Sequence, residues 1–204
     1  MKYEAEIKDL LIENAIHLIA EGGFEKATTK NLTYCNPSDL AIKMNEVYIY
    51  RLFGSKENLY EAAFVRLDTE LVNAFNMGVE MVGGFGGNSA EKFNKFHALA
   101  WNFILGDEER CRCYVRYYYS VYFKGSSREA HKRMFSGMIS AMTPIFKEEA
   151  NVSAIMHSVF TTLFDFAIRV YNGDIADDEV NRVHIFNVLF CMLSTYLKEE
   201  NNVS

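Results

Sequence analysis

The chain has 204 residues, of which 50% are hydrophobic, 14% aromatic and 24% charged; it can bury a sizeable core and is not a disordered chain. Its formal net charge of −6 excludes a protein that coats nucleic acid by bulk charge, but leaves room for one local basic surface. Only two prolines, beside long runs of apolar residues at three- and four-residue steps, argue against a turn-rich β or α/β chain and for an all-helical one.

In chain order, the first predicted helix covers about 2–21, with Leu10, Leu11, Ala15, Leu18 and Ile19 on one face. Gly22-Gly23 ends it. A polar segment, Thr28 to Asn31, follows. Asn36-Pro37-Ser38-Asp39 then reads as a cap and first turn, predicting a short helix over 38–44. Asn45 reads as a cap for a second short helix, 46–52, which Gly54 ends; Ser55 caps a long helix from Lys56 to 81 or 82, with Gly78 as its weak point. Gly83 to Asn88 holds four glycines and reads as a loop. Helices are then predicted over about 89–105, 108–123, 127–142, 152–171 and 178–198. Thr143-Pro144 marks a kink or a new helix start.

From Val183 to Leu197 eleven of fifteen residues are apolar. A monomer's surface helix needs a single apolar stripe, so this helix must be covered on a second face. With the 152–171 helix it suits a homodimer in which each subunit gives a helix pair to a four-helix bundle.

Two blocks in the N-terminal third resemble the tetracycline-repressor (TetR) family of bacterial transcriptional regulators. Residues 15–29, AIHLIAEGGFEKATT, resemble the family's first-helix pattern. Residues 49–60, IYRLFGSKENLY, resemble its Tyr-x-x-Phe-x-(Ser/Thr)-Lys-Glu-x-Leu signature at the end of the recognition helix. The resemblance covers about residues 8–64. It implies an all-α fold, with a three-helix helix-turn-helix DNA-binding domain at 1–62 and a helical ligand-binding and dimerisation domain at 63–204. It further implies a cytoplasmic transcriptional regulator, commonly a repressor, with operator DNA, a small-molecule effector and a second copy of the chain as partners. The family match of the second helix is Leu40-Ala41, which leaves a turn shorter than the family's before Asn45; matching Leu32 instead puts extra residues inside the motif.

Elementary physics supports nucleic-acid contact without the resemblance. Between Lys26 and Lys56 five basic residues face two acidic ones. Lys56 follows Ser55 at a helix N-terminus, where free N–H groups favour an anion. The DNA-contact candidates are Thr28, Thr29, Lys43, Asn45, Glu46, Tyr48, Tyr50, Arg51 and Lys56. Tyr50 and Lys56 suit phosphates; Asn45, Glu46 and Tyr48 suit base edges. Residues 1–60 nevertheless carry seven Lys/Arg against nine Asp/Glu. That leaves a second reading, a TetR-derived helical protein that binds a ligand or a protein and no longer reads DNA specifically.

In the second half, large side chains suit an apolar pocket with a few hydroxyls. The candidates are Trp101, Tyr114, Tyr117, Tyr118, Tyr122, Met138, Phe160 and Phe164, and they imply an apolar or planar aromatic effector. Phosphate loops, nucleophile elbows and paired-carboxylate signatures are not apparent, so an enzyme is not expected. Cys111 and Cys113 sit two apart on a predicted helix and point to opposite sides, so no metal is expected, nor any other cofactor. The four cysteines suggest no disulfide framework. The acidic start does not read as a signal peptide, and no uncharged apolar run is long enough to span a membrane.

Overall fold

The structure, a computed structural model, describes residues 2–34, 44–84 and 89–198. Among these residues the chain forms nine α-helices: α1 (Lys2–Lys26), α2 (Thr29–Tyr34), α3 (Val47–Phe53), α4 (Lys56–Met81), α5 (Ser89–Ile104), α6 (Glu108–Tyr118), α7 (Ser126–Met142), α8 (Val152–Tyr171) and α9 (Glu179–Ser194). The all-α expectation therefore holds. The chain divides into two compact units: 1–70 with 108–131, and 71–107 with 132–204.

In the first unit, α1 buries Ile7, Leu11, Ala15, Leu18 and Ile19 on one stripe, while Leu10 of the expected face is only half-buried. Gly23, at φ 75°, interrupts the helix where the sequence signalled an end. The most extensive packing in this unit is α6 along α1. Arg116 Nη1 donates to the Ile19 carbonyl at 2.7 Å, and His17 Nδ1 lies 2.8 Å from Glu109 Oε1. Ion pairs join the first half of α4 to the same two helices. Arg66 contacts Asp9 and Glu13 at 2.5 and 3.0 Å, and Arg110 contacts Glu13 and Glu70 at 3.0 Å each. These pairs are partly exposed and add modest stability each.

The helix-turn-helix region departs from expectation. Thr28 to Asn31, expected as a polar segment, begins α2. Thr28 Oγ1 accepts from the Asn31 amide at 3.2 Å, and Asn14 Nδ2 donates to the Leu32 carbonyl at 2.8 Å. Leu32 is fully buried. A threonine that caps, followed by a leucine with a core to enter, outweighs the polar composition of the segment. The structure thus places a helix at 29–34, and the chain between Tyr34 and Met44 lies outside the described residues. The helix expected over 38–44 lies outside the described residues except for Met44, which is not helical. The next helix starts and ends one residue later than expected, and Gly54, at φ 78°, closes it with its N–H on the Tyr50 carbonyl.

The helix expected over 108–123 stops at Tyr118. Ser120 explains this: its hydroxyl donates to the Tyr117 carbonyl at 2.7 Å and accepts from the Tyr122 amide at 3.1 Å, so a side chain takes over backbone bonds that a helix would need.

In the second unit, α5, α8 and α9 pack together beside α7. Gly78 on the second half of α4 is less a weak point than a contact. A Cβ there would lie 3.2 Å from the Phe96 ring, so the missing side chain makes room for it. Pro144 opens a single 3-10 turn, Thr143–Ile145. Asn151 and Asp178 cap α8 and α9 by accepting from the Ala154 and Asn181 amides. α9 ends at Ser194 rather than 198, because the following residues form a short antiparallel bridge. Lys147 N–H donates to the Tyr196 carbonyl and Lys198 N–H to the Ile145 carbonyl, both at 2.9 Å. No described helix is long and apolar enough to cross a membrane.

Candidate functional site

The first unit presents α3 as a short helix held on one side and open on the other. Ile49 is fully buried, whereas Val47 and Tyr50 are 63% and 54% exposed. Seven residues make two turns, so one buried isoleucine and half-buried Leu52 and Phe53 fix the helix while the opposite face is exposed. Asn45 Oδ1 accepts from the Val47 amide at 3.1 Å and so shapes the entry to the helix. Asn45 and Glu46 are exposed and Tyr48 is half-buried.

Beyond Gly54, Ser55 Oγ accepts from the Asn58 amide at 3.1 Å, and Asn58 Nδ2 donates back to the Phe53 carbonyl at 2.7 Å. This pair of bonds from Asn58 ties the end of α3 to the first turn of α4. It leaves Lys56 at the first turn of α4, its ammonium 5.6 Å from the Tyr60 ring centroid. Tyr60 is buried, and its hydroxyl donates to the Ala27 carbonyl at 2.5 Å, which fixes the connection between α1 and α2. Burial pushes its phenol well above the ordinary range, and neighbouring Tyr122 and Glu57 add to this, so it stays a donor.

The structure therefore gathers Asn45, Glu46, Tyr48, Tyr50, Arg51 and Lys56 on and around α3, with Thr28 and Thr29 at the start of α2. Lys43 lies outside the described residues. Arg51 is engaged twice: its guanidinium carbon lies 4.8 Å from the Tyr48 ring centroid, and Nη2 lies 2.8 Å from Glu4 Oε1. Thr28 is exposed but its hydroxyl caps α2. Sequence reasoning missed Val47, an exposed apolar side chain in the first turn of α3, and Tyr34, 77% exposed at the end of α2. For Val47 the signal was its place beside the Asn45 cap; for Tyr34 there was none, because the helix at 29–34 depends on the distant Asn14.

The aromatic candidates divide between the two units. Tyr114, Tyr117, Tyr118 and Tyr122 belong to the first. Tyr117 stacks on Phe64 at 4.5 Å, Tyr118 packs on Phe123 at 4.6 Å and Tyr122 on Phe24 at 4.6 Å. Tyr114 donates its hydroxyl to Asp68 at 3.1 Å, and burial holds that phenol well above its ordinary range. His131 Nδ1 meets the same Asp68 carboxylate at 3.0 Å. Asp68 is fully buried, so α4, α6 and the start of α7 share one buried hydrogen-bonded centre.

Trp101, Met138, Phe160 and Phe164 belong to the second unit. Trp101 is buried and donates Nε1–H to Asp177 at 3.2 Å; Met138 and Phe164 are buried. Phe160 stacks on Phe75 at 5.0 Å and also lines a partly open cavity of about 40 Å³ among α5, α8 and α9. The other main contributors to that cavity, Phe93, Phe96, His97, Phe186 and Phe190, were not singled out from the sequence. The signal was their i, i+3 and i, i+4 spacing on two helices. His97 is 9% exposed and its Nε2 has no hydrogen-bond partner. Burial, reinforced by the charge of Arg182, lowers its pKa to about 4. Among the described residues no group of three or more His, Cys, Asp or Glu is placed to hold a metal ion.

No family model and no curated protein sequence matches the chain. Solved structures do. A TetR family transcription regulator from Marinobacter aquaeolei VT8 superposes with a TM-score of 0.73 at 13% identity, over 94% of this chain and 98% of its own. A TetR family transcription regulator from Shewanella sp. PV-4 gives 0.73 at 14%, over 95% and 99%. A fatty acid degradation regulator from Bacillus halodurans gives 0.60 at 15%, over 90% and 94%. The chain has the TetR-like fold along nearly its whole length.

Proposed function

We propose that the protein is a DNA-binding transcriptional regulator whose reading element is α3, supported by α2 and by the first turn of α4. The observation that carries this reading is the exposed face of α3. A seven-residue helix anchored by one buried isoleucine presents Val47, Tyr50 and Arg51 outward, with Lys56 at the adjoining helix start. A short helix so mounted fits the major groove, and a helix N-terminus beside it favours a phosphate. The TetR-like fold adds support for regulation by operator binding, with repression as the expected mode. In this reading the protein acts in the cytoplasm.

The same reading gives the second unit two tasks: binding a small-molecule effector and forming the homodimer through α8 and α9. For the dimer, α9 buries Ile185, Leu189 and Leu193 on one face, yet Val180 and Val183 are 77% and 51% exposed and Cys191 is exposed on another. A second copy covering that face removes apolar surface from water.

The experiment is retention of the purified protein on double-stranded DNA as salt is raised, followed by selection of bound sequences from a random pool. Regulation by DNA binding requires retention that falls steeply with salt and a recovered two-half-site sequence. No retention at low salt removes this reading and favours a helical protein that binds ligands or proteins without reading DNA.

A further inference from the structure

The cavity in the second unit is lined almost entirely by carbon. Phe93, Phe96 and His97 come from α5, Met156 and Phe160 from α8, and Phe186 from α9. Among the lining residues His97 is the one with a polar side chain, and its Nε2 is buried without a hydrogen-bond partner. The ring is held in place: Trp101 stacks on it at 6.0 Å and Phe186 packs against it at 5.6 Å. A buried polar nitrogen left unpaired carries an uncompensated desolvation cost, so it calls for an explanation.

A trapped water is a poor one. Buried water is held by two to four polar partners, and this lining supplies one polar side chain. A carboxylate ligand is also disfavoured, because its charge would leave water for an apolar lining. Arg182, the cation nearest in electrostatic effect, is already engaged by Asp177 through two contacts of 2.7 Å and by Asn102 at 3.3 Å. With a pKa near 4, His97 itself is neutral at ordinary pH and brings no counter-charge. The volume, about 40 Å³, exceeds what one water needs and falls short of the roughly 150 Å³ that holds a benzene ring. It suits the end of an aliphatic chain, with the remainder leaving through the open side.

We propose that this cavity is the effector site, and that it takes a small uncharged aliphatic molecule with one hydroxyl or carbonyl oxygen, hydrogen-bonded to His97 Nε2. The proposal rests on the effector reading above and names its site and ligand class.

The test uses the full-length chain with 13C-methyl-labelled methionine and 15N-labelled histidine, titrated with 1-hexanol and, separately, hexanoate at pH 7. Met142 and Met156 line the cavity. The expected result is a saturable shift of their methyl signals and of His97 Nε2 with 1-hexanol, and at least tenfold weaker binding of hexanoate. His97→Phe should weaken 1-hexanol at least tenfold, and His97→Gln, which keeps a polar atom near the Nε2 position, should recover most of it. The methyl signals of methionines outside the cavity report that each variant is folded. Absence of a saturable shift, equal affinity for hexanoate, or full affinity in His97→Phe overturns the proposal. DNA retention separates the two readings. A protein that binds DNA but not 1-hexanol loses only this site; one that binds 1-hexanol here but never DNA keeps the site and loses the regulator reading.

Discussion

Arg51 on the outward face of α3 has its Nη2 2.8 Å from the Glu4 carboxylate of α1. One of the few cations available for phosphate contact is thus answered by an acid of the protein itself. The pair is exposed, so it adds little to stability, but DNA must displace Glu4 to use Arg51. Glu4→Gln is expected to raise DNA affinity several-fold and to steepen the dependence of log K on log salt by up to about 0.9, the share of one phosphate contact. Fluorescence anisotropy at four salt concentrations checks this. Unchanged affinity and slope would mean that Arg51 is not at the DNA.

Tyr50 and Lys56 differ from Tyr48 in what they offer. Tyr50 is 54% exposed and carries its hydroxyl at the middle of α3, while Lys56 begins α4; both suit sequence-independent phosphate contact. Tyr48, half-buried beneath Arg51, sits in the first turn of α3, where base edges are read. Tyr50→Phe and Lys56→Ala should weaken binding by similar factors on operator and random DNA, and only Lys56→Ala should lower the salt slope. Tyr48→Ala should change the ranking of sequences in a competition assay. Full affinity in both phosphate variants at fixed salt would sink the assignment.

Much of the fold was legible because it rests on strong local signals. Gly54 with Ser55 marks the border between α3 and α4, and the apolar spacing over 152–171 matches α8; the caps of α8 and α9, Asn151 and Asp178, are seen only in the structure. Two of the misreadings have one physical origin, a contact distant in sequence. Asn14 supplies the hydrogen bond that makes a helix of 29–34. The bridge between Phe146 and Leu197 ends α9 early. In α6 the turn made by Ser120 competes with a run of aromatics whose periodicity carries no stop signal. The head candidates read as a cluster because they lie within one short stretch of chain. The aromatic candidates could not be sorted the same way, since only tertiary packing divides Tyr114 and Tyr117 from Phe160.

Asp68 is the strongest test of that packing. Its carboxylate is fully buried and accepts from the Tyr114 hydroxyl at 3.1 Å while meeting His131 Nδ1 at 3.0 Å. Removing it leaves the buried Tyr114 hydroxyl and His131 without that partner, at a cost on the order of 3 kcal/mol. Asp68→Ala should therefore lower the urea midpoint by far more than Glu91→Ala, whose pair with Lys95 at 2.6 Å lies on the surface of α5. Equal midpoints for the two variants would show that Asp68 is not a centre of the first unit's packing.

The exposed valines of α9 allow a direct test of assembly. Val183 is 51% exposed, whereas its neighbour two positions on, Ile185, is 1% exposed and faces the core. Val183→Glu should leave the thermal unfolding of the isolated subunit nearly unchanged and shift sedimentation from dimer to monomer, because a carboxylate on an apolar face covered by a second copy would lose its water without a partner. A variant that still sediments as a dimer would place the interface elsewhere.

His97 links the second unit's stability to pH. Its pKa of about 4 in the folded chain, against 6.5 for the free side chain, follows first from burial and then from the charge of Arg182; Arg182 in turn is paired with Asp177. Below pH 6.5 the unfolded chain takes up a proton that the folded chain refuses, so stability is full above pH 6.5 and falls as pH drops from 6.5 towards 4. The loss by pH 4 is on the order of 3 kcal/mol, because each tenfold rise in proton concentration across that range favours the unfolded chain by about 1.4 kcal/mol. Aspartates and glutamates begin to titrate near the lower end of that range, so the contribution of His97 is isolated by difference. His97→Phe, which keeps an apolar ring in the same space, should unfold with a midpoint that changes less than wild type between pH 7 and 5. Parallel pH profiles for the two proteins would mean that the imidazole is either solvated or already paired in solution.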